Sequence, residues 1–511
     1  MVSMTSTPAT AATAAAPKTS PQTATRPLRV MRRPERFTSD DRRVITRFFS
    51  FGGQERARSV IERVLKLSEP EVDALLERTL THFRSRHRRI EAALEQHFEE
   101  VQAHVPHAQR LSRNRRLLIG SYFTMEYAIE SAALFNPSIV PHPDQSGLEE
   151  GQARVLMSLR ATGEGHVSSI VFRTGLLDRD GHIRFDPPSR YAASLRVRRD
   201  KQYEKKLFTL KLIEMGAYNA AAKMVLDALP DWFTFEQLDR TIQQVRQQPD
   251  RPSPITETAE NLLWLARSNY HLELPPDTDP SELVIFPTSE NESKGIEDLR
   301  LTRFVDDDGR VMYYGTYTAF NGYRILPQML QTPDFQDLGI HTLNGRYVQN
   351  KGMALFPRKI DGKYLMVSRL DGENMYLMHS DNVYFWNHAQ KLQTPRYAWE
   401  YVQIGNCGPP IETEAGWILL THGVGPMRQY SIGASLLDLR DPSRVIGHLR
   451  EPLITPDETE RNGYVPNVVY SCGAMIHQGL LVIPYAISDT ATTFATVPVN
   501  DLLQALLRNG S

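Results

Sequence analysis

A short polar stretch at residues 290–300 carries the residue types best suited to chemistry. It reads ENESKGIEDLR, so Glu297 and Asp298 follow a glycine turn and Arg300 closes the run. An apolar, β-rich segment, VMYYGTYT at 311–318, comes next. Burial beside a strand can raise the pKa of a carboxyl toward its working pH, which suits proton transfer. The stretch also fits a solvated turn with an ordinary ion pair, so the flanking sequence has to decide.

Composition excludes several other classes of site. The 511 residues include 59 basic and 60 acidic side chains, which gives no overall attraction to nucleic acid or anionic membrane. The two cysteines, Cys407 and Cys472, argue against a disulfide scaffold and favour a reducing, cytoplasmic location. The sequence contains no glycine-rich phosphate loop, HExxH, nucleophile elbow or Cys/His metal cluster, so we expect no metal.

The first 28 residues are rich in Ala, Thr, Ser and Pro and lack the apolar core of a signal peptide, which predicts a disordered tail. No apolar run in the sequence approaches the ~18 residues that a membrane span needs. The sequence therefore predicts a soluble protein.

Residues 29–133 have a predominantly helical pattern. Ser39 can cap a helix that carries Val44, Ile45 and the phenylalanines at 48–49. Ser68 and Glu71 form a capping-box pattern before a long charged helix that continues to Phe98, and another helix is predicted over 113–133. Arginine is dense here, but interleaved glutamates favour solvated helix faces over nucleic-acid binding. We expect this region to mediate homo-oligomer contacts, dock a partner or cover a cavity.

A repeated pair of short strands marks the rest of the chain. The pairs begin near residues 154, 311, 364, 417 and 480, and the last four starts lie about 50 to 60 residues apart, the span of one propeller blade. The fold class predicted is mainly β: a five-bladed β-propeller with the first blade at 134–190 and the others at 290–511. Helical periodicity assigns 191–289 to an insertion between blades one and two. An irregular β-sandwich is the alternative.

The predicted strand ends carry acids, amides, cations and aromatic rings that would converge on a central cavity. Planar polar groups bind pairs of sugar hydroxyls, and rings stack on sugar C–H faces. Several cations beside one or two acids indicate an anionic co-substrate such as phosphate. The polar strand-end residues include Asn136, Arg160, Asp298, Arg300, Tyr317, Lys351, Gln403, His422, Arg428, Tyr430, Asn467 and Asp489.

Over roughly residues 134–505, the sequence resembles glycoside hydrolase family 130, the mannoside phosphorylases and β-mannosidases. The matching words are FNP at 135–137, GIED at 295–298 followed by Arg300, YGTYTA at 314–319, NK at 350–351, LFPRKIDGKY at 355–364, IG at 404–405, PPI at 409–411, GW at 416–417, HGV at 422–424, LLDL at 436–439, VPNVV at 465–469 and SDT at 488–490. The resemblance implies a five-bladed propeller, in agreement with the repeat.

The resemblance also implies cleavage of a β-mannosidic bond with inversion. In the family's phosphorylases, inorganic phosphate attacks the anomeric carbon and releases α-mannose 1-phosphate. By resemblance, Asp298 is the general acid, in some members through the sugar's 3-hydroxyl. The mannose-binding residues implied are Asn136, Tyr317 and Asp489, to which the strand ends add Arg300 and Asn467. The phosphate-side residues implied are Arg160, Lys351, His422 and Tyr430, to which the strand ends add Gln403 and Arg428.

Two departures from the family pattern affect the expected activity. Leu299 replaces a common proline, which changes only the turn, whereas Gln403 stands where phosphorylases usually carry lysine. Family hydrolases lose basic residues at the phosphate side and activate water with carboxylates, a role open to Glu400, Glu412 or Glu414. We therefore predict an inverting β-mannoside phosphorylase on β-linked manno-oligosaccharides, with β-1,2 as the candidate linkage, phosphate as co-substrate and no cofactor. An inverting β-mannosidase and a non-catalytic sugar-binding propeller remain the alternatives.

Overall fold

Antiparallel β-hairpins dominate the chain in a computed structural model that describes residues 28–106, 108–198, 202–249, 253–275, 278–289, 292–321 and 325–508. The predicted tail at 1–28 lies almost entirely outside the described residues. So do Glu290 and Asn291, at the start of the acidic stretch, and Tyr323 and Arg324, at the start of one predicted strand. The described chain is mainly β.

Five sheets of four or more strands are present among the described residues. The first contains β4 (Ala133–Pro141), β5 (Ala153–Thr162), β6 (Ser168–Leu177), β7 (Ile183–Phe185), β8 (Ala193–Ser194) and β13 (Leu283–Ile285). The second contains β9 (Arg196–Arg198), β12 (Tyr270–Glu273), β14 (Ile296–Val305), β15 (Val311–Phe320), β16 (Ile325–Thr332) and β17 (Asp337–Thr342). The third contains β18 (Lys351–Leu355), β19 (Tyr364–Arg369), β20 (Met375–Ser380) and β21 (His388–Gln393).

The two remaining large sheets come from the C-terminal part of the chain. The fourth contains β22 (Gln403–Asn406), β23 (Ile411–Thr413), β24 (Gly416–Val424), β25 (Tyr430–Leu437) and β26 (Val445–His448). The fifth contains β27 (Val469–Tyr470), β28 (Met475–His477), β29 (Leu480–Ile487), β30 (Ala491–Pro498) and the N-terminal β1 (Met31–Arg32). Helix α9 (Val499–Arg508) follows β30.

The five repeated hairpins predicted from the sequence are confirmed. They are β5–β6, β15–β16, β19–β20, β24–β25 and β29–β30, and each pairs antiparallel. Each sheet contacts the next along the chain, through β4 with β14, β15 with β18, β19 with β22 and β25 with β27. The fifth sheet contacts the first through β29 and β4, so the contacts run in cyclic order.

Apolar clusters lie between these neighbouring sheets. One cluster joins Phe172 of the first sheet to Leu330 of the second, and another joins Met157 of the first to Val482 of the fifth. Similar clusters join the second sheet to the third (Met329 with Met366), the third to the fourth (Val367 with Leu419) and the fourth to the fifth (Ile432 with Ile483). Burial of these large side chains, worth about 1.5–3 kcal/mol each, provides much of the driving force that holds sheet on sheet.

The segment between the first two sheets is helical, with strands at its ends. Its helices are α5 (Lys205–Glu214), α6 (Ala220–Asp227), α7 (Phe235–Gln247) and α8 (Ile255–Arg267), and β10 (Tyr203–Glu204) pairs with β11 (Trp232–Phe233). The two ends of this segment were predicted to be helical but form strands: β8 and β13 extend the first sheet, and β9 and β12 extend the second. The helices are thus anchored to both sheets.

The N-terminal region is only partly helical, which corrects two predictions. The helix expected after Ser39 is strand β2 (Asp40–Phe48), and the helix expected over 113–133 ends at Tyr122, where β3 (Thr124–Glu130) begins. β2 and β3 pair with each other, and in that pair the β-branched residues Val44 and Ile45 lie opposite Ala128 and Tyr127. Local periodicity cannot predict this pairing, because the two strands are distant in sequence. The capping box of Ser68 and Glu71 is confirmed.

Four helices occupy this region: α1 (Gln54–Leu65), α2 (Glu69–Phe83), α3 (Ile90–Val101) and α4 (Arg113–Tyr122). The long helix predicted through Phe98 is therefore two helices, α2 and α3. A buried ion cluster ties β2 and β3 to the first sheet, because Glu130 accepts hydrogen bonds from Arg173 at 2.8 and 3.0 Å and pairs with Arg43 at 3.0 Å. No helix in the described part of the chain is both long enough and apolar enough to cross a bilayer.

Candidate active site

Two β-bulges aim the central side chains of the candidate site. The β14–β15 register shifts between Glu297 and Arg300, and the β4–β5 register shifts between Phe135 and Ser138. Asp298 and Asn136, inside these bulges, have left-handed φ values of 59° and 49°. Bulges re-aim side chains, and strained backbone of this kind concentrates at functional sites.

The bulges bring a carboxylate pair against two cations. Asn136 Nδ2 donates to Asp298 Oδ1 at 2.7 Å, and Arg160 Nη1 lies 3.5 Å from the same oxygen. Arg160 Nη2 donates to Glu297 Oε1 at 2.9 Å, while Lys351 Nζ donates to Glu297 Oε2 at 2.6 Å. The carboxyl side chains are only 14% (Asp298) and 17% (Glu297) exposed, so water screens these charges weakly.

Opposing influences set the protonation of Asp298. Burial alone would raise the pKa of this carboxyl. The positive charges of Arg160, Arg300 and Lys351, with the Asn136 hydrogen bond, outweigh burial and lower the pKa below its ordinary value. Without a ligand, therefore, Asp298 is ionised at neutral pH.

Arg300 connects the Asp298 bulge to a group of aromatic rings. Its Nη1 donates to the backbone carbonyl of Asp298 at 2.9 Å, and its Nη2 donates to the hydroxyl of Tyr470 at 2.7 Å. The Tyr470 ring meets His422 edge to face at 4.9 Å, and His422 stacks on Tyr430 at 5.9 Å. Tyr470 was missed by sequence reasoning, although it directly follows the matching word VPNVV.

His422 is neutral rather than cationic. Burial lowers its pKa well below the ordinary value, and Arg369 and Arg300 lower it further. Its Nδ1 lies 3.1 Å from the backbone carbonyl of Asn406, and its Nε2 lies 3.2 Å from Arg369 Nη1. Because a carbonyl only accepts and a guanidinium only donates, the proton is on Nδ1 and Nε2 accepts from Arg369.

The other predicted phosphate-side residues surround Arg369 and His422. With its amide turned to satisfy both ends, Gln403 accepts from Arg369 Nη1 at 2.5 Å and donates to the Gly372 carbonyl at 3.2 Å. The Arg428 guanidinium lies over the Tyr430 ring, 6.0 Å from its centroid. The buried Nε atoms of Arg300 and Arg369 have no hydrogen-bond partner within the described chain.

Tyr317 does not join this group. It is 2% exposed, and its hydroxyl donates to Glu292 Oε1 at 3.0 Å. The same carboxylate accepts from the Tyr270 hydroxyl at 2.9 and 3.0 Å and from the backbone N–H groups of Thr288 and Ser289. Tyr317 is thus tied into the core beneath the bulge, a placement that strand alternation could have indicated.

Asp489 and Asn467 lie on the fifth-sheet side. Asp489 has a left-handed φ of 52°, and burial, opposed by Arg160 and reinforced by Asp298, raises its pKa to about 6. Asn467 also has a left-handed φ, of 63°, and its Oδ1 accepts from Arg461 Nε at 2.9 Å. Asp489 interacts electrostatically with Arg160 and Asp298, whereas the Asn467 side chain is held by Arg461 and the Asn467 backbone carbonyl accepts from the Tyr430 N–H at 3.0 Å.

The raised pKa of Asp489 predicts a pH-dependent stability difference. Between about pH 4 and pH 6 the folded chain holds a proton that the unfolded chain has lost, so this carboxyl costs stability increasingly as pH rises. We expect Asp489→Asn to become more stable relative to wild type from about pH 4 to pH 7. Urea unfolding midpoints across that range measure the difference, with the lowest pH as internal control, and a difference independent of pH contradicts the assignment.

No group of three or more His, Cys, Asp or Glu side chains among the described residues is arranged to hold a metal ion. The two cysteines, Cys407 and Cys472, are free and buried, and burial raises the pKa of the Cys407 thiol to about 12. The Asp298 cluster itself supplies carboxylates that can transfer protons and guanidinium and amide groups that can bind an anion.

Comparison with known proteins gives a consistent assignment. The family model for glycoside hydrolase family 130, described as β-1,4-mannooligosaccharide phosphorylase, matches residues 277–508. A 1,2-β-oligomannan phosphorylase of Thermoanaerobacter sp. (strain X514) is 36% identical over 227 residues, covering 43% of this chain and 73% of that protein. A β-1,2-mannobiose phosphorylase of Listeria innocua is 28% identical over 256 residues, covering 49% and 70% of the two chains.

Among solved structures, the Listeria innocua β-1,2-mannobiose phosphorylase in complex with β-1,2-mannobiose covers 74% of this chain and 93% of its own. The TM-score is 0.45 and the identity 17%. The sequence match to the Thermoanaerobacter protein covers more than two thirds of that relative. The part matched by the family model includes the strands that carry Asp298, Lys351 and His422. The chain therefore belongs to glycoside hydrolase family 130 and is an enzyme that acts on glycosides.

Proposed function

We propose that the chain is an inverting β-mannoside phosphorylase. Inorganic phosphate attacks the anomeric carbon of a terminal mannose from the face opposite the glycosidic oxygen, and α-mannose 1-phosphate is released. Asp298 supplies the proton that the departing oxygen needs, directly or through the sugar's 3-hydroxyl. The observation that carries this proposal is the buried Asp298 carboxylate enclosed by Arg160, Arg300 and Lys351.

Two unused guanidinium donors, one on Arg300 and one on Arg369, support an anionic co-substrate. Arg300 and Arg369 each retain a buried Nε without a partner in the described chain, and an unsatisfied buried donor costs about 1–3 kcal/mol. A phosphate oxygen would satisfy such a donor through a charge-assisted hydrogen bond. His422 contributes by accepting from Arg369 and so orienting its guanidinium, rather than by adding charge.

Bound phosphate would also raise the pKa of Asp298 and so favour the protonated form that a general acid needs. In the unliganded chain the three cations hold Asp298 ionised, which is the wrong state for donating a proton. A bound phosphate offsets part of that positive charge, so the pKa of Asp298 rises toward the working pH when the nucleophile arrives. Proton donation is thereby coupled to the presence of phosphate.

The linkage proposed is β-1,2, because the Thermoanaerobacter and Listeria relatives carry that linkage in their names. The mannose-binding role proposed for Asn136 and Asp489 rests on their position around Asp298. Arg300 is proposed to position Asp298 through its contacts with the Asp298 carbonyl and Tyr470. Tyr317 is proposed to support the Asp298 bulge from the core beneath it.

Hydrolysis receives less support from the geometry. Of the carboxylates that could activate water, Glu400 accepts from the backbone N–H groups of Arg396 and Tyr397, and Glu412 pairs with Arg358 at 2.6 and 2.9 Å. Glu414 is exposed. These contacts hold Glu400 and Glu412 to partners outside the Asp298 cluster.

We further propose that the five large sheets are the blades of a propeller, with blade one near 134–190, a mainly helical insertion at 191–289 whose end strands join the first two blades, and the other blades at 290–511. The cyclic order of sheet contacts supports this arrangement, as does the pairing of β1 with β30, which joins the two ends of the chain in one sheet. The β-bulges of the first and second sheets would then face a shared central cavity.

Product analysis with and without phosphate tests the proposed activity. With β-1,2-mannobiose and phosphate we expect α-mannose 1-phosphate and one mannose per cleavage, identified by the anomeric NMR signals. Replacing phosphate with sulfate at equal ionic strength is the control, because sulfate can occupy an anion site but forms no stable glycosyl product; we expect turnover to stop. Equal release of free mannose in both buffers would show that the enzyme is a hydrolase.

A further inference from the structure

A cavity of about 490 Å³, apart from the Asp298 cluster, lies between the helical segment and the second and third sheets. Trp232, Glu204 and Lys211 line it from the helical segment, Tyr314 from the second sheet, and Asp381 and Tyr384 from the third. Its volume falls within the 300–1,000 Å³ typical of small-molecule sites. Its lining includes none of the side chains that form the Asp298 cluster.

Aromatic rings form much of the wall of this cavity. Trp232 is 55% exposed, and it is held in place by the pairing of Glu204 with Trp232 between β10 and β11. Tyr384 stacks on His341 at 4.6 Å on the opposite side, and Tyr314 lies between the two sheets. An exposed indole on a fixed strand pair offers a flat apolar face on which a ligand can stack.

The polar groups of the cavity include charges of both signs. Lys211 is 8% exposed, and within the part of the chain that the structure describes its Nζ reaches Glu214 at 3.5 Å and the Leu343 carbonyl at 3.4 Å, both at the outer limit of hydrogen bonding. An ammonium group has three donors, so Lys211 can still donate a hydrogen bond to a ligand in the cavity. Glu204 and Asp381 add acceptors, and their negative charges oppose an anionic ligand such as phosphate.

We propose that this cavity is a non-catalytic binding site for a neutral pyranose, formed jointly by the helical segment and the two sheets. A pyranose has an apolar C–H face that stacks on an indole and a rim of hydroxyls that match mixed donors and acceptors. Pyranose binding follows from the cavity itself; only the choice of a mannoside as the pyranose rests on the proposed function. The site would hold a second segment of an oligosaccharide or a second sugar molecule.

Isothermal titration of the Asp298→Asn protein with a β-1,2-linked manno-oligosaccharide tests the site without turnover. We expect two binding events per chain, of which one is lost or weakened by about tenfold or more when Trp232→Ala is added. Trp232→Phe, which keeps a ring, should retain both events. Tyr122→Ala, which removes an exposed aromatic from α4, is the matched control and should also retain both. Binding events that Trp232→Ala leaves unchanged, with this sugar and with the other sugars named below, would overturn the proposal.

Lys211→Met provides a second, independent variant, because it keeps the side-chain length and removes the donors. We expect it to weaken the same event that Trp232→Ala removes, and to leave turnover of β-1,2-mannobiose by the otherwise wild-type enzyme unchanged. Titrations with gluco- and galacto-oligosaccharides separate this proposal from the proposed function. Trp232-dependent binding of any of these sugars upholds the site even where the enzyme turns over no mannoside, and absence of Trp232-dependent binding across the whole set refutes it.

Discussion

Asp298→Asn is expected to lower kcat for phosphorolysis of a β-mannoside by about 10² to 10⁴, the range that a positioned general acid contributes. Asparagine keeps the shape of the side chain and can still contact Asn136 and Arg160, but it has no proton to donate. The loss should shrink for aryl mannosides with acidic leaving groups, because their departing oxygen needs less protonation. Steady-state rates on a natural disaccharide and on a series of aryl mannosides measure both effects.

Asp307→Asn is the matched control for that substitution, because Asp307 is an exposed carboxyl in the turn between β14 and β15 of the same sheet. We expect it to retain wild-type kcat. If Asp298→Asn kept more than about a tenth of the activity, or lost equal activity on every aryl leaving group, Asp298 would not be the proton donor.

Arg160→Met is expected to destabilise the fold by about 3–5 kcal/mol, since it leaves two largely buried carboxylates without their shared partner. Arg160 bonds Glu297 at 2.9 Å and approaches Asp298 at 3.5 Å, and it also lies over the Phe135 ring. Its removal should raise the pKa of Asp298, so the alkaline limb of the pH–kcat profile, which reports the substrate-bound enzyme, moves to higher pH. Urea unfolding and the pH profile measure the two consequences separately.

Arg160→Lys is the control, because it keeps the charge but cannot span both carboxylates as the guanidinium does. We expect it to recover most of the stability and to leave the alkaline limb close to that of wild type. Arg160→Met with wild-type stability and an unmoved pH profile would mean that Arg160 does not set the charge state of the cluster.

Much of the architecture follows from local pattern. The five hairpins were predictable because each strand pair carries its own apolar alternation and turn, which are properties of neighbouring residues. The capping box at Ser68 and Glu71 is equally local. The β2–β3 pair was missed because its partners lie far apart in sequence, and a strand without a visible partner resembles a helix of similar composition.

Some features of the site also follow from the sequence, and others follow only from the tertiary structure. The sequence by itself determined the family-specific words and hence the candidates Asp298, Arg160 and Lys351. Tertiary structure alone decided that Asn136 contacts Asp298 across 162 residues of sequence, that the Tyr470 hydroxyl accepts from Arg300, and that His422 is neutral. Residue types can be read from the sequence, whereas burial, hydrogen-bond partners and the resulting pKa values arise only when distant strands pack together.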